Sequence, residues 1–483
     1  MKIHGLKVSG WERALTRARL LGPAGTARAA LRMASRLATR RWRRLRALLG
    51  GTEIGPGEMA RVLGVDRSAV LDVAERFRQA MRTRLPVGPD DAKTIVASLE
   101  RYAPEVIRST VTAADKICDH VFDLLGSGQV ALGPEINWHR DFKSGYRWDP
   151  KTFYMDIPYG HVPGVDIKVP WELSRGEHLP VLAQAYLFTG DERYAQEAVA
   201  QIRHWLATNP PQFGVNWACP MDVAIRAVNW LWTAGLLADA LAADREFFLD
   251  LLAGLLAHGR HLMGNLEIGP DGVTSNHYLA NIVGLLYLGL CVPEFREAKG
   301  WRAYAVRALV QEMDRQVLPD GADYESSIPY HRLVTEMFLS AALLCRHHRV
   351  PLPCEFLQRL ARMLDFVLAY TKPNGLAPQV GDADDGRLHV LHGYGTNDPR
   401  DHRHLLALGA LYFDRGDSWA AVGPAWPEAL WFGGARSDRW SRPPGGSTLA
   451  PESAAFPHAG LYIMRDGDDF VLFNCSPVGT RGI

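Results

Sequence analysis

The feature that most constrains this chain is a long series of helical patterns with nothing alternating between them. From about residue 90 to 420, segments such as "HLPVLAQAYLFTG", "ERYAQEAVAQIRHWLATNP", "MDVAIRAVNWLWTAGLLADAL", "REFFLDLLAGLLAHGRHLMGN", "NHYLANIVGLLYLGL", "WRAYAVRALVQEMDRQV", "YHRLVTEMFLSAALLCRHH" and "CEFLQRLARMLDFVLAYT" follow one another. Each places apolar residues at i, i+3, i+4 and i+7, the spacing of one helix face. Several end in Gly or Asn-Pro, which stop helices. Helices of similar length, joined by Pro/Gly/Asp-rich loops and with no βαβ alternation, pack as hairpins into an array or a closed toroid. No repeat of fixed period appears, which disfavours a regular solenoid.

After about residue 440 the pattern changes. "SRPPGGSTLAPESAAF" reads as a linker, and "GLYIMRDGDDFVLFNCS" as strand, Asp-Gly turn, strand. The expected organisation is a basic helical arm over residues 1–90, a helical body over 91–440, and a linker with the start of a β-sheet domain over 441–483. A lone hairpin is marginal in water, and this one is followed at once by Ile483. The expectation is therefore a truncated antiparallel β-sheet domain.

Net charge over the 483 residues is +1, which selects neither nucleic acid nor membrane through a global field. The charge is unevenly placed: residues 1–50 hold 13 Lys/Arg and one acid, 13 − 1 = +12, leaving 1 − 12 = −11 elsewhere. "RLATRRWRRLRALL" reads either as a solvated helical arm or as a contact for a membrane surface or anionic polymer. No uninterrupted apolar region follows it, so it is not a secretory signal, and no stretch is long and apolar enough to span a bilayer. The compartment and the oligomeric state are left open. Cys118, Cys219, Cys291, Cys345, Cys354 and Cys475 are far apart with no C-x-x-C pair, so neither a disulfide framework nor a metal ribbon is expected.

Polar and aromatic residues concentrate in loops beyond what capping needs. They are Trp138 and Arg140 in "NWHRDFKSGYRWDP", Trp171, Glu172 and Arg175 in "DIKVPWELSRGEHLP", and Asn216, Trp217, Asp222 and Arg226 in "NPPQFGVNWACPMDVAIRAVNW". "TSNHY" and "DGADYESSIPYHRL" add Asn276, His277, Tyr324, Glu325, Tyr330 and His331. Aromatic faces stack on sugar rings and Arg pairs with carboxylate or sulfate, so these residues suit an acidic glycan. Each also has an ordinary structural reading. The tryptophans can pack hairpin ends, Asn276 can be a helix N-cap, the histidines can be satisfied core groups, and Tyr330 can be a staple. Asp382, Asp384 and Asp385, with His389 and His392 behind them, are either a metal or acid/base cluster or simply a turn.

These segments, in this order, resemble the heparinase II/III family of polysaccharide lyases: "INWHRDFKSGYRW", "DIKVPWELSRGEHLPVLAQAYLFTGD", "NPPQFGVNWACPMDVAIRAVNW", "SNHYLANIVGLLYLGL", "DGADYESSIPYHRLVTEMF" and "VGDADDGR". The resemblance implies a mainly α fold, an incomplete (α/α) toroid of helical hairpins, followed by an antiparallel β-sheet domain. It implies β-elimination on a uronic-acid-containing polysaccharide. Asn276 would bind the uronate carboxylate, and Tyr330 would act as acid and also as base, its phenol lowered by nearby positive charge. His277 would assist at the catalytic centre. Trp138, Arg140, Trp171, Glu172, Arg175, Asn216, Trp217, Arg226, Tyr324 and His331 would bind substrate. Asp222 departs from the Glu expected after Met. The catalytic His and the zinc site of the family's β domain find no counterpart here, so no cofactor or metal is assigned to this chain. Two other readings stay open: a non-catalytic module binding acidic glycan, and an inverting glycoside hydrolase using carboxylates among Asp323, Glu325 and Asp382.

Overall fold

A computed structural model describes residues 38–49, 52–269, 271–383, 385–434, 442–445 and 452–476. It divides into two compact units, residues 1–53 and 54–483. Within the first, helix α1 spans 38–49 and exposes Trp42, Leu45, Leu48 and Leu49, with the Arg46 guanidinium 5.5 Å from the Trp42 ring centroid. Of the arm expected over residues 1–90, residues 1–37 and 50–51 lie outside the described residues, and residues from 54 onward belong to the second unit.

The second unit opens with α2 (Pro56–Leu63), α3 (Val70–Arg84), α4 (Ala92–Tyr102) and α5 (Pro104–Cys118). A looped stretch carrying a small ladder, β1 (Val121–Phe122) with β2 (Val130–Ala131), leads to α6 (Lys168–Ser174). Helical hairpins follow: α7 (Leu179–Thr189) with α8 (Glu192–Thr208), and α9 (Pro220–Leu236) with α10 (Arg245–Gly264). Then come α11 (Asn276–Cys291) with α12 (Ala298–Gln316), and α13 (Ile328–His347) with α14 (Cys354–Tyr370). The series closes with α15 (Arg403–Phe413), α16 (Gly416–Ala420) and α17 (Leu430–Gly433).

Hydrophobicity sorts these helices into two layers. Every residue of α9 is buried, including Asp222, Arg226, Asn229 and Thr233, and α11 buries all but His277. In contrast α8 buries one stripe, including Tyr194, Ala198, Ile202 and Trp205, and α14 buries Phe356, Leu360, Met363, Leu364 and Val367. Helices α5, α7, α9, α11, α13 and α15 pack on one another in that order, while α8 packs on α10 and α12 on α14 outside them. This is the incomplete (α/α) toroid, an inner ring of parallel helices with an outer ring of return helices. Helices α9 and α11 come very close: a Cβ added at Gly284 would lie 2.7 Å from Ala224 Cβ. Helix α3 packs against α9 and α10.

The late strands form an antiparallel sheet β3–β4–β5 (Ala454–Phe456, Leu461–Asp466, Asp469–Asn474), one strand more than the expected hairpin. Asp466 pairs with Asp469 across a two-residue turn in which Gly467 takes φ 56°, a left-handed conformation that suits glycine. Leu461 and Ile463 face inward, and the Phe456 ring lies 4.6 Å from Phe366 of α14. Ala459 N donates to Asp320 at 2.9 Å, which ties the sheet to the loop after α12. Tyr462, Met464, Val471 and Phe473 are exposed on the other face.

Between the rings several histidines are fully enclosed. His178 bonds Gln201 at 2.7 Å, and His389 bonds Ser340 at 3.2 Å. Burial pushes His178 and His389 down to about 4 and His331 to about 3. Because these folded-state values lie below that of a free imidazole, the neutral rings contribute stability at pH above about 6.5 that is lost as the pH falls. At full expression the effect is on the order of 3 to 5 kcal/mol per ring. Urea midpoints measured against pH should therefore decline steeply below about 6.5. A midpoint unchanged down to about pH 4.5 would contradict this account of the core.

Candidate active site

The inner helices α9, α11 and α13 bring their N-termini to one end of the ring, where their loops interlock. Tyr324 donates its hydroxyl to Thr274 O at 2.5 Å, and Gln316 Nε2 donates to Ser275 O at 3.1 Å. Ser327 Oγ donates to Asp382 O at 2.7 Å, and Ile328 N donates to Val380 O at 3.0 Å. Thus "TSNHY", "DGADYESSIPYHRL" and "VGDADDGR", distant in sequence, form one rim.

Asn276 is not the N-cap of α11. Ser275 takes the cap position in extended conformation, without a capping side chain, and Asn276 is the first helical residue. A carboxylate caps the helix instead. Glu325 accepts from Asn276 N at 3.1 Å and from Asn276 Nδ2 at 3.1 and 3.3 Å. An anion at a helix N-terminus meets free N–H groups and the positive end of the helix dipole. Beneath it Asp323 is buried, with Oδ2 accepting from Glu325 N at 3.2 Å and Oδ1 without a partner among the described residues. Burial, and then the neighbouring Glu325 charge, push the Asp323 carboxyl upward from the ordinary carboxylate range.

Tyr330 stands in the first turn of α13 and is half-buried; its backbone N is capped by Ser327 Oγ at 3.2 Å. The adjacent His331 points the other way. Its Nδ1 accepts from Asp323 N at 3.2 Å, its Nε2 bonds Thr335 Oγ1 at 3.2 Å, and its ring packs on Phe366 and Tyr370. It is 1% exposed, so the expected substrate contact by His331 is corrected to a core role. Burial likewise raises the Tyr324 phenol, which is committed to Thr274 O and is not poised as a base.

Other expected substrate contacts are also buried. Arg226 is 0% exposed and lies 4.1 Å from the Trp205 centroid and 5.6 Å from that of Trp217. It donates to His258 Nε2 at 2.8 Å, Ser174 Oγ at 3.2 Å and Asn216 O at 3.2 Å. Asn216 Nδ2 donates to Trp138 O and Asn209 Oδ1, both at 2.8 Å. Trp217 Nε1 donates to Asn209 O, and Trp138 Nε1 donates to His204. Trp138, Asn216, Trp217 and Arg226 are therefore buried beneath the rim and hydrogen-bonded within the protein. Arg140 is exposed, whereas Trp171 is half-buried, donating to Val215 O at 2.9 Å beside the exposed Tyr159.

The sequence offered no signal for the remaining cluster. Cys219 Sγ, at the start of α9, lies 3.8 Å from His277 Nδ1 and 3.9 Å from Glu267 Oε1. His277 Nδ1 and Glu267 Oε1 are 2.9 Å apart. Asn281, fully buried in α11, accepts from Glu267 N and donates to Glu267 Oε2, both at 2.9 Å. Arg175 pairs with Asp222 at 2.6 Å and lies 3.5 Å from Glu172, and both Asp222 and Arg175 act electrostatically on His277. The shorter Asp222 side chain thus still has a charged partner. Residues 381–383 and 385–386 are loop, Asp384 lies outside the described residues, and His389 behind them is buried at Ser340. Among the described residues the β3–β5 sheet assembles no trio of metal-ligating groups, so no zinc chemistry is derived there.

Burial alone would lower the His277 pKa, but the hydrogen bond and charge of Glu267 outweigh it and leave it raised. Glu267→Gln removes the charge and keeps the shape. The His277 ring signal in an NMR titration should then midpoint at lower pH than in the parent, and an unmoved midpoint would exclude Glu267 as the cause.

Comparison with known proteins agrees with this arrangement. Residues 69–397 match the heparinase II/III N-terminus family. A heparin-sulfate lyase of Pedobacter heparinus is 26% identical over 278 residues, 56% of this chain and 38% of that protein. A heparin-sulfate lyase of Bacteroides stercoris is 26% identical over 284 residues, 54% of this chain and 41% of that protein. The chain thus aligns with less than half the length of these curated relatives. The crystal structure of a heparan sulfate lyase HepC mutant from Pedobacter heparinus superposes with a TM-score of 0.53 at 22% identity, over 86% of this chain and 57% of that one, and shares the fold. No described helix is long and apolar enough to cross a membrane. With two-thirds of its length under the family match, the chain belongs to the heparinase II/III family.

Proposed function

We propose that this toroid serves a polysaccharide lyase that cleaves a uronic-acid-containing polysaccharide by β-elimination. The observation that carries this reading is the carboxylate already seated on Asn276. Glu325 occupies the amide donors at the N-terminus of α11, as a uronate carboxylate would have to. Elimination needs that carboxylate neutralised, because its charge otherwise opposes carbanion formation at the adjacent C5. Asn276 and the helix dipole supply that stabilisation. Substrate would take the Asn276 amide from Glu325.

Tyr330 in the first turn of the neighbouring helix is the acid/base group in this reading. Its oxygen takes the C5 proton, the C4–O bond breaks as C4=C5 forms, and the proton is returned to the leaving glycosidic oxygen. His277 orients the carboxylate end of the site. Of the residues expected to bind substrate, Arg140, Trp171, Glu172 and Tyr324 retain surface for contact with the polymer. The names of the curated relatives favour a sulfated glycosaminoglycan over other acidic polymers. An inverting hydrolase is disfavoured, since it needs two carboxyl groups flanking the bond with room for water, and Asp323 lies buried under Glu325.

The test is ultraviolet absorbance of unsaturated uronate with heparan sulfate, hyaluronan, alginate and bacterial exopolysaccharides as substrates. Cleavage should fall by a factor of about 10² or more in both Tyr330→Phe and Asn276→Ala, with circular dichroism unchanged. Full activity in Tyr330→Phe would remove that residue from the chemistry. Tight polymer binding without product on any substrate would favour a binding module instead.

A further inference from the structure

We propose that Cys219, Glu267 and His277 form a binding site for a divalent transition metal of the zinc class. The three donors come from separate segments: the residue before α9, the loop after α10, and the first turn of α11. Their donor atoms form a triangle with sides of 3.8, 3.9 and 2.9 Å. Tetrahedral zinc, with bonds of about 2.3 Å to sulfur and about 2.0–2.1 Å to nitrogen and oxygen, sets its donors roughly 3.3–3.6 Å apart. The triangle reaches that geometry by side-chain shifts of a few tenths of an ångström.

The donor set favours zinc or cobalt over calcium or magnesium, because thiolate and imidazole are soft or borderline ligands. Glu267 is held as a ligand is usually held. Asn281 takes Oε2 and the backbone N–H, which leaves Oε1 facing the sulfur and the imidazole. That accounts for a fully buried asparagine in a helix that is otherwise apolar around it. A His–Glu hydrogen bond by itself would not require a thiol nearly equidistant from both partners. The free thiol is no nucleophile, since burial and the nearby carboxylates disfavour its thiolate; a metal would displace the proton.

Three protein ligands leave one position open, as in zinc sites that take an exogenous ligand. His277 keeps part of its side chain exposed and directly follows Asn276, so this position adjoins the carboxylate-binding end of the rim. Resting on the lyase reading, the fourth ligand is the uronate carboxylate, whose charge the metal would neutralise together with Asn276.

Cobalt chloride tests this directly, in a Cys354→Ser/Cys475→Ser background that removes the exposed cysteines. One equivalent of cobalt should bind and give a thiolate-to-cobalt charge-transfer absorption. Cys219→Ser should abolish the band, and Glu267→Gln should weaken binding at least tenfold, with circular dichroism unchanged in both. No charge-transfer band at saturating cobalt, or an equal band in Cys219→Ser, would overturn the site. Glucuronate should then shift the visible cobalt bands. If it does not, the carboxylate is not the fourth ligand, and that part of the proposal falls. The cobalt spectrum needs no turnover, so a failed lyase assay and a failed metal site are read independently.

Discussion

The structure depends on two helices that bury almost every residue they have. Helices α9 and α11 leave only His277 partly exposed, and the polar groups along α9, Asp222, Arg226, Asn229 and Thr233, are enclosed with the rest, so both helices are stable only when ringed by other helices. Such helices bury everything except their ends. The N-terminal ends carry unpaired N–H groups that must be satisfied, and this requirement concentrates polar side chains on one rim. The candidate site is thus a consequence of how the core is made. Glu325 capping α11 from another loop is one solution to that requirement.

Beneath the rim, a buried cation does the bracing. Among the described residues no carboxylate forms an ion pair with Arg226, though Asp222 acts on it electrostatically. Its charge is met by the Trp205 and Trp217 rings, by the His258 nitrogen, and by oxygens of Ser174 and Asn216. Burial disfavours its charged form, so each of these partners matters to keeping it in place. The network spans α6, the 215–217 turn, α9 and α10, and so couples the rim loops to the ring. This explains why the segment around Asn216 and Trp217 is rich in polar and aromatic groups that are nonetheless buried.

The fold was legible because hydrophobic periodicity is local. Eight helical segments could be marked from spacing, and the late strand-turn-strand from alternation and its Asp-Gly turn. Strand β3 was not, since Ala454–Phe456 is too short to show a period and is made a strand only by pairing with β4. Within the site, the types and neighbourhood of Asn276, His277 and Tyr330 were legible, whereas exposure was not. An Arg, Trp or His in a loop has the same letter whether it faces water or the core. Arg226 and His331 went to the core because their hydrogen-bond partners lie there.

By itself, then, the sequence determined that consecutive helices must pair as hairpins, which face of each is apolar, and which loops carry ionisable and aromatic groups. Those follow from residue type and spacing of a few positions. Only the tertiary structure decided that Glu325 would sit on Asn276, that Arg226 would be enclosed by tryptophans, and that Cys219, Glu267 and His277 would meet. Such contacts join residues about 10 to 60 positions apart, and no local period encodes them. They are set by which helix ends the closed ring brings side by side.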